Sequence, residues 1–253
     1  MAIGATTTWD IRTGGSNTNA GGFDSELCSF STVAQTLTLS AVSGESVTAT
    51  AGGGTPFASG DVGKWIKDST SGSGGRAKIV AFTSSTVVTV WIRRPFKGLS
   101  IGSSDWGISD GLDYTDQTAA ELTLTDLTTS GAGSTTLTSA TGWGSRSTLL
   151  KGNCFRISSG TNFQTGYYFV TAVADNNNLT LDRTPTSGGA GSGGNATLGG
   201  AFATLNPLMG TGNGGLSSPS ITSPLAAGHT IYMQGAGSDD PGSDDYDYAS
   251  GGG

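Results

Sequence analysis

Ala77-Lys78-Ile79-Val80-Ala81-Phe82-Thr83-Ser84-Ser85-Thr86-Val87-Val88-Thr89-Val90-Trp91-Ile92 reads as two β-strands about a turn at Ser84-Ser85. β-Branched and aromatic residues crowd both arms, and no apolar stripe recurs at helical spacing. Just upstream, Trp65-Ile66 leads through a Ser/Gly turn at 69–75 into the first arm. Earlier still, Leu37-Thr38-Leu39 and Val47-Thr48-Ala49 alternate on either side of Val42-Ser43-Gly44-Glu45, the pattern of a period-two hairpin. The stretch 115–122 offers the one modest helix candidate, with Asp116-Gln117-Thr118-Ala119-Ala120-Glu121 able to start a short turn.

The same pattern returns further along. Residues 37–96 resemble 122–185: Leu37-Thr38-Leu39 answers Leu122-Thr123-Leu124, and Gly63-Lys64-Trp65-Ile66 answers Gly152-Asn153-Cys154-Phe155. Ile79 and Phe82 answer Val170 and Val173, and Val88-Thr89-Val90 answers Leu179-Thr180-Leu181. Both copies close on Arg and Pro, at Arg93-Arg94-Pro95 and Arg183-Thr184-Pro185. A duplicated module of five or six strands is the economical reading. The chain then divides into an N-terminal strand and arm (1–35), a first β module (36–98), a linker (99–120), a second β module (121–186), and a Gly-rich joint with an acidic C-terminal arm (187–253). The predicted fold class is all-β: two tandem small barrel or sandwich-like modules with extended N- and C-terminal arms.

Composition agrees with that class. The 253 residues include 43 Gly, 33 Ser and 37 Thr, whereas only 12% are charged, which excludes a highly charged disordered chain and a charged helical one. Glycine has no three-residue period, so a collagen-like chain is excluded too. The net charge is −7, and its distribution is uneven: the last basic residue is Arg183, and all five acidic residues beyond it are Asp239, Asp240, Asp244, Asp245 and Asp247. No polybasic stripe exists to neutralise phosphates, so nucleic acid is not expected as a partner. No basic n-region with an apolar core opens the sequence and no long apolar run interrupts it, so neither a secretion signal nor a membrane span is expected. Cys28 and Cys154 lack metal-ligand spacing and read as two buried free thiols, with a disulfide as the alternative.

Residues with chemical potential are few. His229 is the single histidine and sits in a short apolar strand, where it reads as a structural residue. Asp105-Trp106 with Asp110, Asp113 and Asp116 is the best arrangement for a glycosidase carboxylate pair, and its bland reading is a loop whose Asp residues cap turns. Trp106, Trp143, Tyr167 and Tyr168 are candidate sugar-stacking rings, with core packing as the competing reading. The acidic tail invites a calcium reading but lacks the order of an EF-hand loop. No cofactor, metal or enzymatic activity is expected.

Three stretches resemble virion proteins of tailed bacteriophages: 5–23, beginning Ala5-Thr6-Thr7-Thr8-Trp9-Asp10-Ile11-Arg12; 58–66 with 77–90; and 111–120, beginning Gly111-Leu112-Asp113-Tyr114-Thr115-Asp116, with 158–168. The resemblance implies a virion structural protein assembled in the host cytoplasm, of a type that often continues into a long β-helical shaft. Here the sequence stops at Gly253, so the expectation is the scaffold portion alone. It implies a capsid decoration or cement protein that clamps neighbouring subunits, with a tail fibre or tail adaptor subunit as the alternative. A carbohydrate-binding module and a glycan-cleaving enzyme are the other classes weighed. The expected partners are the major capsid protein or other virion subunits and further copies of the chain, with a host surface glycan for the sugar-binding class. Candidate assembly residues are Trp9, Arg12 and Phe23 in the N-terminal arm, Arg93 and Arg94 at the end of the first module, and Asp239, Asp240, Asp244, Asp245, Tyr246, Asp247 and Tyr248 in the tail. Arg93 and Arg94 suit the carboxylates of a neighbour's tail, because guanidinium and carboxylate pair bidentately.

Overall fold

A computed structural model describes residues 6–70, 72, 74–209, 225 and 228–234. The chain starts with β1 (Thr8–Arg12) and β2 (Gly22–Phe23). Eight strands follow: β3 (Phe30–Val33), β4 (Leu37–Leu39), β5 (Gly44–Ala51), β6 (Lys64–Asp68), β7 (Arg76–Ser84), β8 (Val87–Arg94), β9 (Ser100–Ile101) and β10 (Trp106–Leu112). A second set comprises β11 (Leu122–Thr129), β12 (Thr136–Ser139), β13 (Cys154–Thr161), β14 (Gly166–Val173), β15 (Asn178–Leu181) and β16 (Ser192–Leu198). One helical turn at Asn206–Met209 and a last strand, β17 (Thr230–Gln234), complete the described elements.

The second set forms a closed barrel in the order β11-β12-β15-β14-β13-β16. The first set forms a ladder in the order β3-β10-β6-β7-β8-β5-β4-β9, and its two ends meet in sequence. β3 runs into β4 across three residues, β9 runs into β10 across four, and both β3–β10 and β4–β9 are antiparallel pairs. Counted as β3+β4 and β9+β10, the ladder closes into the same six-strand barrel, with two strands each broken once at one seam. Ser104 N donates to Val33 O at 3.0 Å and Trp106 Nε1 to Gln35 O at 2.6 Å, which bridges the break. Val33 and Ile101 accordingly pack in one core with Ile66, Ile79, Val90 and Trp106.

The registers of β7–β8 and β14–β15 match position by position. Ile79 pairs with Val90, Ala81 with Thr89 and Phe82 with Val88; in the second barrel Val170 pairs with Leu181, Ala172 with Thr180 and Val173 with Leu179, with the bulge at the same place. Gly63 N donates to Ile79 O at 2.8 Å and Gly152 N to Val170 O at 2.9 Å. Both glycines take positive φ, +92° and +87°, at the bend that starts β6 and β13, a conformation that disfavours any side chain. One expected correspondence is corrected. Leu37 pairs with Ala51 and Leu127 with Ser139, so Leu37 answers Leu127, whereas Leu122 and Leu124 answer positions in β3. Alternating Leu-Thr recurs at both ends of the continuous strand β11, and alternation alone does not separate them.

Three boundaries also move. The stretch 99–120 supplies β9 and β10, because Ile101, Trp106 and Ile108 are core residues of the first barrel. The Gly-rich joint from 187 supplies β16, which closes the second barrel; a Cβ at Gly194 would stand 2.6 Å from Phe163 and 2.9 Å from Leu127, so glycine there lets the strand approach its core. The start is not an extended arm: β1 pairs antiparallel with β2 and parallel with β17, and the resulting three-stranded sheet packs against both barrels. The 115–122 candidate forms turns and no helix.

Candidate assembly interface

β1 has two chemically different faces, as strand alternation requires. Trp9 and Ile11 point toward the second barrel and pack with Cys154, Tyr167, Phe169 and Phe202; Trp9 lies edge-on to Tyr167 and Phe169 and stacks on Phe202. Asp10 points toward the first barrel, where both of its carboxylate oxygens accept from Arg93 Nη2 at 3.3 Å. The Arg93 guanidinium sits in the corner formed by the edge-on rings of Trp91 and Tyr232, 3.3 and 3.8 Å from their centroids. Such stacking of a desolvated cation on two rings is strongly favourable. Tyr232 closes the arrangement from β17 by donating its hydroxyl to the Arg93 carbonyl, and burial pushes its phenol up to about 12.

The ionic junction extends to Lys78, a buried lysine on the outer face of β7. Its ammonium lies 2.9 Å from Asp116 and 3.5 Å from Asp113 and donates to the Asp113 carbonyl at 3.1 Å. Trp65 Nε1 donates to Asp113 Oδ2 at 3.0 Å, and the Thr115 hydroxyl stands 2.5 Å from both Asp10 and Asp113. Burial works to raise the Asp116 pKa, but the charges of Lys78, Arg12 and Arg93 outweigh it and hold it below the ordinary carboxylate value. This arrangement holds the first barrel, β1 and the 113–116 turn in one piece.

The expected site residues scatter. Trp9 and Phe23 are fully buried within this chain, Phe23 stacked on Trp65, so neither is available to a neighbour. Arg12 is half-buried at the end of β1 and serves the Asp116 carboxylate. Arg93 is corrected from a tail acceptor to an internal ion pair, because Asp10 already occupies it. Arg94, next in the strand and facing the other way, is exposed. Asp239, Asp240, Asp244, Asp245, Tyr246, Asp247 and Tyr248, with the calcium reading attached to them, lie outside the described residues.

The sugar-binding and sugar-cleaving arrangements also find other uses. Trp106, Trp143, Tyr167 and Tyr168 are all buried and present no ring platform. Asp110 caps the Ser29 amide at 2.7 Å and pairs with Lys151 at 3.3 Å, while Asp113 and Asp116 belong to the junction. Both cysteines are buried free thiols, and burial pushes Cys28 up to about 12 and Cys154 well above its ordinary value. His229 accepts from Trp9 Nε1 at 3.1 Å through Nδ1, a structural role. Among the described residues no group of three His, Cys, Asp or Glu side chains is placed to hold a metal ion, and no helix is long and apolar enough to cross a membrane.

Sequence reasoning missed Asp10, Lys78, Thr115 and Tyr232. Alternation placed Lys78 on the outer face of its strand, where the 113–116 turn covers it; a cation inside the apolar run Ala77-Lys78-Ile79-Val80-Ala81-Phe82 was the available signal. No family model, curated protein or solved structure matches the chain.

Proposed function

We propose that the chain is a non-enzymatic structural protein of a tailed-bacteriophage particle, a decoration or cement protein that clamps neighbouring subunits of the major capsid protein. One observation carries the reading: the three stretches that resemble virion proteins meet in a single buried junction. Asp10 comes from the first stretch, Trp65 and Lys78 from the second, and Asp113, Thr115 and Asp116 from the third, whose Tyr167 packs on Trp9 at the opposite face of β1. What these stretches encode together is a fixed spacing between two barrels, the property a lattice clamp needs. Quantitative mass spectrometry of purified particles, normalised to the major capsid protein, tests it. Hundreds of copies per particle are expected. A count of about three to eighteen, the multiplicities of tail symmetry, places the chain in a tail fibre or adaptor instead, and its absence from particles overturns the reading.

A further inference from the structure

At one end of the first barrel, Lys67, Asp68, Arg76 and Arg94 line a groove of about 290 Å³ beside the turn that follows β6. Arg94 lies against Gly74 and Lys97 against Gly72, so four cations surround the groove. Two acids oppose them: Glu26 bonds Arg76 and Lys67, and Asp68 accepts from the Thr70 amide at 2.8 Å. The balance is an excess of positive charge. Among the described residues neither Arg94 nor Lys97 has an ion-pair partner, and the buried Arg76 Nε has no hydrogen-bond partner. The exposed, unpaired Arg94 guanidinium at a surface groove selects carboxylate or phosphate.

We propose that this groove binds the chain's own aspartate-rich segment, 239–247. Charge and reach both point there. The five acidic residues beyond Arg183 all fall within that segment. β17 brings the chain close: Tyr232 bonds the carbonyl of Arg93, the residue before Arg94, and β17 ends two residues later at Gln234. An extended chain covers about 3.3–3.6 Å per residue, so Asp239 reaches roughly 17 Å beyond Gln234 and Asp247 farther still. The proposal is independent of the virion reading, since it requires no partner subunit.

Carbodiimide cross-linking, which joins a lysine amine to a carboxylate only when they touch, tests it on full-length protein mixed from equal 14N- and 15N-labelled stocks. The expected result is cross-links from Lys67 or Lys97 to 239–247 in same-isotope pairs. Their yield should fall about tenfold in about 0.5 M salt, where the screening length is only a few Å, and similarly in Arg94→Glu, with Arg94→Lys retaining most of it. Arg94 is exposed, so the charge-reversed variant should fold, which near-UV circular dichroism verifies. Cross-links with about half of the pairs of mixed isotope, the random expectation for two copies, assign the groove to a neighbour's tail and overturn the same-chain proposal. Absence of these cross-links, or yields indifferent to salt and to Arg94→Glu, overturns the site itself.

Discussion

The two barrels carry the same outward position and fill it with opposite chemistry. Lys78 pairs with Trp65 across β6 and β7, and Phe169 pairs with Cys154 across β13 and β14, so the buried lysine of one barrel answers the buried phenylalanine of the other. β1 is read from both sides, with Trp9 against Phe169 and Asp10 against Arg93. After a duplication both copies have the same outer surface, and an apolar strand docks on either. A strand with one apolar and one charged face docks in one orientation only, because reversing it places a carboxylate on Phe169 and an indole on Arg93.

Breaking the charged side should have the largest effect. Asp10→Ala leaves Arg93 buried without its carboxylate and should lower the unfolding free energy by about 3–5 kcal/mol. Adding Arg93→Met should recover most of that loss in urea denaturation, and a double variant no more stable than the single one would show that the buried charge is not the cause. On the apolar side, Trp9→Ala should cost about 3–5 kcal/mol as a large cavity opens. There no single partner substitution restores it, since four rings share the contact.

The glycines that start β6 and β13 sharpen the comparison at a smaller scale. Both demand positive φ, so alanine should destabilise each barrel by about 1–2 kcal/mol. Gly152→Ala should be the worse, because its Cβ meets the Asp24 carbonyl and Cys28 Sγ within 2.9 Å, whereas at Gly63 it meets the Leu112 side chain, which can turn away. Equal shifts in thermal midpoint would indicate that φ alone decides.

Acid should affect the first barrel's side more gently still. Asp116 and Glu26 have pKa values below their ordinary ones, in each case because neighbouring cations outweigh the effect of burial. Their contribution to stability is therefore complete above the unfolded-state value of about 4 and is lost as pH falls through the lower folded-state value. Asp116→Asn should flatten stability against pH below about 4 and leave it unchanged near neutrality in slope, as read by urea midpoints across the range.

Alternation and turn residues made the strands, the duplication and the equivalence of Gly63 with Gly152 legible, since each depends on residues close in sequence. The closing strands were not legible for a physical reason particular to each. β16 is written in glycine because Phe163 leaves no room for a side chain, and its composition then resembles a linker. β9 and β10 follow a break, so neither shows a full alternating run. At the junction, Asp10 and Arg93 are 83 positions apart, and nothing local marks either as the other's partner. Arg93 and Arg94 looked alike as a pair, yet strand geometry sends one inward under β1 and leaves the other in solvent.

The parallel pairing of β17 with β1 sets an order of events during folding. Trp9 and His229 are 220 residues apart, so this contact forms only after both barrels have been synthesised. Both barrels have all their strands by Leu198 and can fold as they leave the ribosome, with Asp10 and Arg93 meeting before the Tyr232 ring is in place. Tyr232 arrives after both barrels and covers the guanidinium. Loop closure over that length is slow compared with hairpin formation, so refolding should end in a late phase reported by the environment of Trp91, the signature of a chain that has sealed its own seam.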